Sequence, residues 1–193
     1  QSIDINPYNS NEIVIACGMD YLPDDISRGV WKSDNAGDTW RQVLGPESGN
    51  NDVNFGGNVF RIKLGGPALR WHPSVQGRMF AGTLADPSTG KPSVYMSNSN
   101  GESGTWNIIS SNSSIYGNVV CIQVHRDFPD EVWIGTDKGL WRTKDNGATW
   151  SEQLFASQIN GVYQMLFKKD RNGNLMAFVT TGNLYKIEND CNN

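Results

Sequence analysis

Charge is scarce in this chain. Lys, Arg, Asp and Glu make up 19% of its 193 residues and leave a net charge of −4. There is no broad basic surface to neutralise phosphates, which argues against nucleic acid as a partner. Cysteine is scarcer still: Cys17, Cys121 and Cys191 form an odd, widely spaced set that spells neither a metal-ligand motif nor a disulfide framework. Cys17 and Cys121 lie in the apolar runs IVIAC and VVCIQV, where a free thiol acts as a small buried hydrophobe. No apolar stretch approaches the roughly 18 residues of a membrane-spanning helix, so no membrane insertion is expected. No segment sustains a helical period of apolar residues. The chain starts at Gln1 with no recognisable signal peptide, as after removal of a leader or in a fragment.

What is abundant is glycine, at 21 residues, and tryptophan, at 7. Much of both falls in a repeated turn. Ser33 to Trp40 reads SDNAGDTW, Thr143 to Trp150 reads TKDNGATW, and Ser97 to Trp106 is a looser copy, SNSNGESGTW. Around each turn stand short β-branched or aromatic runs separated by turn residues, the pattern of four strands per unit. In the third unit these are VCIQVH, EVWIGT, GLWRT and WSEQL. The units are expected at residues 1–47, 58–112, 116–155 and 158–189, a spacing comparable with the roughly 40–50 residues of a four-stranded propeller blade. Runs such as IVIA are apolar at consecutive positions, as suits strands covered on both faces. A sandwich would show cleaner in-and-out alternation and no recurrent turn.

The residue types in the turn have a structural logic. A short acceptor, Asp145 or Asn35, bonds nearby backbone N–H groups. Gly37 and Gly147 permit positive φ. Thr39 and Thr149 restart the strand, and Trp40, Trp106 and Trp150 are expected to place indoles between neighbouring units. The motif resembles the Asp-box, or BNR repeat, Ser/Thr-x-Asp-x-Gly-x-Thr-Trp. The third copy matches it at every defined position, with Thr143, Asp145, Gly147, Thr149 and Trp150; the first keeps Ser33, Gly37, Thr39 and Trp40 but has Asn35 for Asp. The resemblance implies an all-β fold, a β-propeller of four-stranded antiparallel blades of the sialidase, xyloglucanase or sortilin-like kind. It also implies a secreted, periplasmic or cell-surface location. About three and a half to four blades are expected, as part of a larger propeller, since rings close with 4–8. A compact four-bladed ring is the alternative, and an N-terminal strand completing the last unit would mark it.

In a propeller the loop joining the second and third strands lies opposite the repeated turns, on the face where ligands commonly bind. Two such loops are long: Gly18 to Gly29 carries Asp20, Tyr21, Asp24 and Asp25, and Gly82 to Ser93 carries Asp86 and Lys91. These six are the candidate ligand-binding residues. Adjacent carboxylates such as Asp24 and Asp25 rarely converge as the separated pair of a glycosidase does, and solvated loop charge is the simpler reading. Tyr21, Trp71 and Trp133 have rings suited to sugar stacking or to a blade core. Phe60-Arg61-Ile62-Lys63 begins like the N-terminal sialidase motif but lacks its proline. His72 and His125 occupy equivalent places in their units, which suggests a role in the repeat rather than in a triad or metal site.

No catalytic constellation, metal site or cofactor is therefore expected. The sequence is read as a scaffold or as a module binding a glycan or a protein, possible partners including the remainder of its own propeller. The alternative is a fragment of a glycoside hydrolase whose catalytic aspartates lie mainly outside this segment.

Overall fold

A computed structural model describes residues 2–17, 29–45, 68–86, 88–111, 113–154, 161–172, 175–181 and 184–188. They form four antiparallel sheets, each built in chain order. The first contains β1 (Ser2–Ile5), β2 (Ile13–Cys17), β3 (Gly29–Ser33) and β4 (Arg41–Leu44). The second contains β5 (Leu69–Trp71), β6 (Met79–Ala85), β7 (Pro92–Ser97) and β8 (Asn107–Ile108). The third contains β9 (Val119–Val124), β10 (Val132–Thr136), β11 (Leu140–Thr143) and β12 (Ser151–Leu154). The fourth contains β13 (Gln164–Lys169), β14 (Leu175–Thr180) and β15 (Leu184–Glu188). No described residue is helical. Because β1 pairs with β2, it does not complete the three-stranded fourth sheet.

Each sheet leans on the next through its first strands, with β1 beside β5, β5 beside β9 and β9 beside β13. This is the arrangement of propeller blades, and it explains the burial. Every residue of β10 is buried, because its sheet is covered on both sides. The joins are apolar. Val14, Val30 and Leu44 of the first sheet pack with Leu69, Trp71 and Met79 of the second. Phe80 and Val94 of the second pack with Ile122, Ile134 and Trp141 of the third. Cys121 and Trp133 of the third pack with Met165 and Val179 of the fourth. Each such buried side chain contributes about 1.5–3 kcal/mol.

Two glycines at equivalent places allow the sheets to approach. A Cβ on Gly82 would lie 2.4 Å from Val119 of the next sheet, and one on Gly135 would lie 2.6 Å from Val162. A further repeat is electrostatic. Glu12 and Lys32 of the first sheet lie 3.5 Å apart, and the corresponding Glu131 and Arg142 of the third lie 2.8 Å apart, both buried. Arg142 also lies over the Trp133 ring, 5.0 Å from its centroid, and the Trp133 indole N–H donates to Glu131 at 2.6 Å. The second sheet places Arg78 and Met96 at these positions, so its core lacks the pair.

Candidate functional site

Local hydrogen bonds occupy the polar groups of the repeated turn. In the third copy the Thr143 hydroxyl donates to Asp145 at 2.7 Å and accepts from Gly147 N at 2.8 Å. Asp145 accepts from Thr149 twice, from its N–H at 2.8 Å and its hydroxyl at 2.6 Å. The Thr149 hydroxyl, the Thr149 N–H and the Thr143 hydroxyl hold the Asp145 carboxyl below its ordinary range. The first copy repeats this with neutral groups: Asn35 accepts from Thr39 N at 2.9 Å and donates to the Thr39 hydroxyl at 2.9 Å. In the second, the Ser97 and Thr105 hydroxyls bond directly at 2.7 Å. All three turns take a left-handed residue before the glycine, Ala36, Asn100 and Asn146. Its N–H donates to the turn between the first and second strands, at Asn11, Gly77 and Asp130 respectively.

The three indoles differ. Each donates to the carbonyl of its turn glycine: Trp40 to Gly37, Trp106 to Gly101 and Trp150 to Gly147. Trp150 also reaches the preceding sheet, donating to Ile109 O at 3.0 Å, and Trp106 is buried. Trp40 remains 36% exposed, against the expectation that it lies between units. Among the described residues no sheet precedes the first, so its indole has only its own turn to cover.

The loop candidates separate into two groups. Asp20, Tyr21, Asp24 and Asp25 lie outside the described residues, as do Phe60 to Lys63. Asp86 and Lys91 close a hairpin, tighter than the long loop expected because β6 and β7 run on to Ala85 and Pro92. Asp86 N donates to Lys91 O at 2.9 Å. The Asp86 carboxylate accepts from Ser88 N at 2.7 Å and Thr89 N at 3.1 Å, and also from the Ser88 hydroxyl. Hydrogen bonds from the Ser88 side chain and backbone hold the Asp86 carboxyl below its usual value. Lys91 donates to Ser113 O at 3.3 Å. Trp71 and Trp133 are core residues, 3% and 0% exposed, with no ring face open to a sugar.

A cleft of about 500 Å³ opens instead along the first strands of the second, third and fourth sheets. Arg70 of β5, Gln123 of β9 and Leu166 and Phe167 of β13 line it, together with His125 and Arg126 just beyond β9. Lys168, Lys169 and Asp127 complete its rim. Lys169 pairs with Asp127 at 2.5 Å, whereas Arg70, Arg126 and Lys168 make no ion pair among the described residues. Three cations thus gather on a chain whose net charge is −4, with the charge of Arg70 acting on Asp4 and that of Arg126 on Asp127. The Gln123 amide donates to Met165 O at 2.9 Å and ties β9 to β13.

His125 has one occupied and one vacant edge. Its Nδ1 accepts from Asp127 N at 3.0 Å and Phe128 N at 2.9 Å, which places the ring proton on Nε2. His72 does the same with Ser74 N and Val75 N. Asn6 takes the position in the first sheet, its Oδ1 accepting from Tyr8 N at 2.9 Å. The Nε2 of His72 then donates to Pro129 O of the following sheet at 3.0 Å. The buried Nε2 of His125 has no acceptor among the described residues. Burial holds both imidazoles below the ordinary histidine value, so both are neutral donors at pH 7. Sequence reasoning missed this cleft because its residues come from three units and from the face of the repeated turns.

No known family profile matches the chain, and no curated protein matches it. Solved structures do. The chain is similar along its whole length to 24% of an ancestral GH74 enzyme, at 16% identity and a TM-score of 0.61. It is also similar, over 93% of its length, to 47% of YCF48 bound to D1 peptide, at 12% identity and a TM-score of 0.47. A GH74 xyloglucanase from Xanthomonas campestris matches 98% of the chain with 36% of its own, at 14% identity and a TM-score of 0.40. At such identities the likeness is one of fold. The chain is a β-propeller segment that spans about a quarter of the length of the ancestral enzyme.

Proposed function

We propose that this chain is an Asp-box propeller module acting outside the cytoplasm, which presents the cleft along β5, β9 and β13 to a glycan or protein ligand. The observation that carries this reading is the cleft itself, in which Arg70, Arg126 and Lys168, none in an ion pair among the described residues, stand beside the apolar side chains of Leu166 and Phe167. The module binds and scaffolds rather than cleaves. Glycoside hydrolysis needs two carboxyl groups about 5–9.5 Å apart, and among the described residues the cleft holds one carboxylate, Asp127, already paired with Lys169. A polysaccharide and peptide binding screen on the purified chain, run beside an assay for released reducing ends, tests the reading. Binding without release is expected. Release that is abolished by Asp24→Ala or Asp86→Ala would replace it with a glycoside hydrolase.

A further inference from the structure

We infer that the turn at residues 126–130 is an acid-released latch, whose Asp127–Phe128 end is held by the neutral imidazole of His125 and opens when His125 Nδ1 takes a proton from solvent. The latch goes beyond the binding role and needs no ligand. The buried Nδ1 of His125 accepts from Asp127 N at 3.0 Å and from Phe128 N at 2.9 Å. An imidazolium carries a proton on both nitrogens and accepts nothing. Protonation therefore removes both acceptors at once and sets N–H against N–H. The other end of the turn stays tied. Pro129 O accepts from His72 Nε2 and from Arg78, each at 3.0 Å, and Asp130 O accepts from Asn146 N at 3.0 Å; none of these bonds uses His125. Arg126 and Asp127 line the cleft, so the released end is its rim. The groups acting on His125 come from every side: Glu131 and Arg142 of its own sheet, Asp127 of the turn and Lys169 of β13, with the rings of Phe128 and Phe167 against it. Burial prevails, and the imidazole lies below its ordinary 6.5. Opening returns it to that value, so the closed turn is fully favoured above pH 6.5 and weakens as the pH falls through the lower closed-state value. Lys169 holds the Asp127 carboxyl below its ordinary 3.8, which keeps Asp127 charged across that range.

The first sheet provides an internal control. Asn6 occupies the place of His125, and its Oδ1 accepts from Tyr8 N at 2.9 Å, but an amide does not titrate. Amide protection factors, corrected for intrinsic exchange, test the latch residue by residue at about pH 7.5 and about pH 5, above the carboxylate range. Protection at Asp127 and Phe128 should fall at least about threefold between the two, while that at Tyr8 and Asn146 stays level. The imidazole nitrogen resonances of His125 should report the proton arriving on Nδ1 over the same span. His125→Asn, which copies the first sheet, should leave the turn protected at the higher pH and abolish the fall at Asp127 and Phe128. If that variant does not fold, the native chain decides: the midpoint for loss of protection must coincide with that for protonation of His125 and lie below 6.5. Protection that stays level while His125 becomes protonated overturns the latch. An equal fall at Tyr8 overturns it in favour of general loosening in acid, and a fall that persists in His125→Asn overturns the assignment to this histidine.

Discussion

The join between the second and third sheets and the open flank of the first are built from equivalent residues with opposite fates. Ile122 and Val124 of β9 are 0% and 4% exposed, because the second sheet covers them. Ile3 and Ile5 occupy the same places in β1 and are 63% and 52% exposed. Among the described residues nothing covers that flank. The repeated turns tell the same story, with Trp150 reaching Ile109 of its neighbour and Trp40 folded onto its own Gly37. Blade burial is thus a property of the neighbour rather than of the strand.

The largest test of this contrast is a pair of truncations. Ile122→Ala should cost about 2–5 kcal/mol through lost burial and the cavity it leaves. Ile3→Ala should cost under about 0.5 kcal/mol, both read by denaturant unfolding. Equal costs would mean that the flank of β1 is covered in solution. Next comes Glu131→Gln, which leaves Arg142 buried opposite a neutral group. Breaking a buried pair in this way costs about 3–5 kcal/mol, and calorimetry should show a loss well above that of the more exposed Glu12→Gln.

Gly37→Ala and Gly147→Ala sharpen the comparison, since both residues have positive φ, at 98° and 91°. Each alanine costs about 1–2 kcal/mol in the backbone. At Gly147 the new Cβ would also lie 2.6 Å from Ile109 of the preceding sheet, whereas at Gly37 nothing but Trp40, 3.7 Å away, is near. Overpacking should add about 1–3 kcal/mol at Gly147 alone, visible as the larger drop in thermal midpoint.

A smaller effect comes from acid. The turn of the second sheet is held to the first by Glu102, which bonds Lys32 at 2.7 Å and Arg41 at 2.8 Å; Asp34 of the first sheet pairs with the same two cations. Burial acts to raise both carboxyls, but hydrogen bonds and charge from Arg41 and Lys32 outweigh it and hold each below its ordinary value, 3.8 for Asp34 and 4.5 for Glu102. Groups depressed in the folded state stabilise it fully above those ordinary values and lose that contribution as the pH falls through the folded ones. Amide protection factors around Glu102, corrected for intrinsic exchange, should therefore fall below about pH 4.5, and Glu102→Gln should flatten much of that dependence. The smallest expected change is a gain. Ala36 sits at φ 58° where the other two turns have Asn, so Ala36→Asn should stabilise by up to about 1 kcal/mol.

Much of the fold was legible because it is local. Consecutive apolar residues in IVIAC and VWIGT, broken by Gly-containing turns at regular spacing, announce short strands covered on both faces. Strand ends were less legible: β6 runs to Ala85, into the span expected as a loop from Gly82 to Ser93, because Asp86 caps a tight hairpin through Ser88 and Thr89. The cleft was not legible. Its polar residues, Arg70, the neighbours His125 and Arg126, and Lys168, come from three separate stretches of sequence, and their place together depends on how three sheets lean together. The candidates Asp86 and Lys91 had the right chemistry for a site, yet their own backbone neighbours consume it.

The sequence by itself determined the repeat, the four-stranded unit and the hydrogen-bonded turn, because each is written within a span of residues that fold against one another. Only the tertiary structure decided which of two equivalent histidines keeps a vacant donor, which of three tryptophans is covered and which isoleucines stay bare. Those outcomes turn on what the adjacent sheet presents across the join, and no single repeat carries that information.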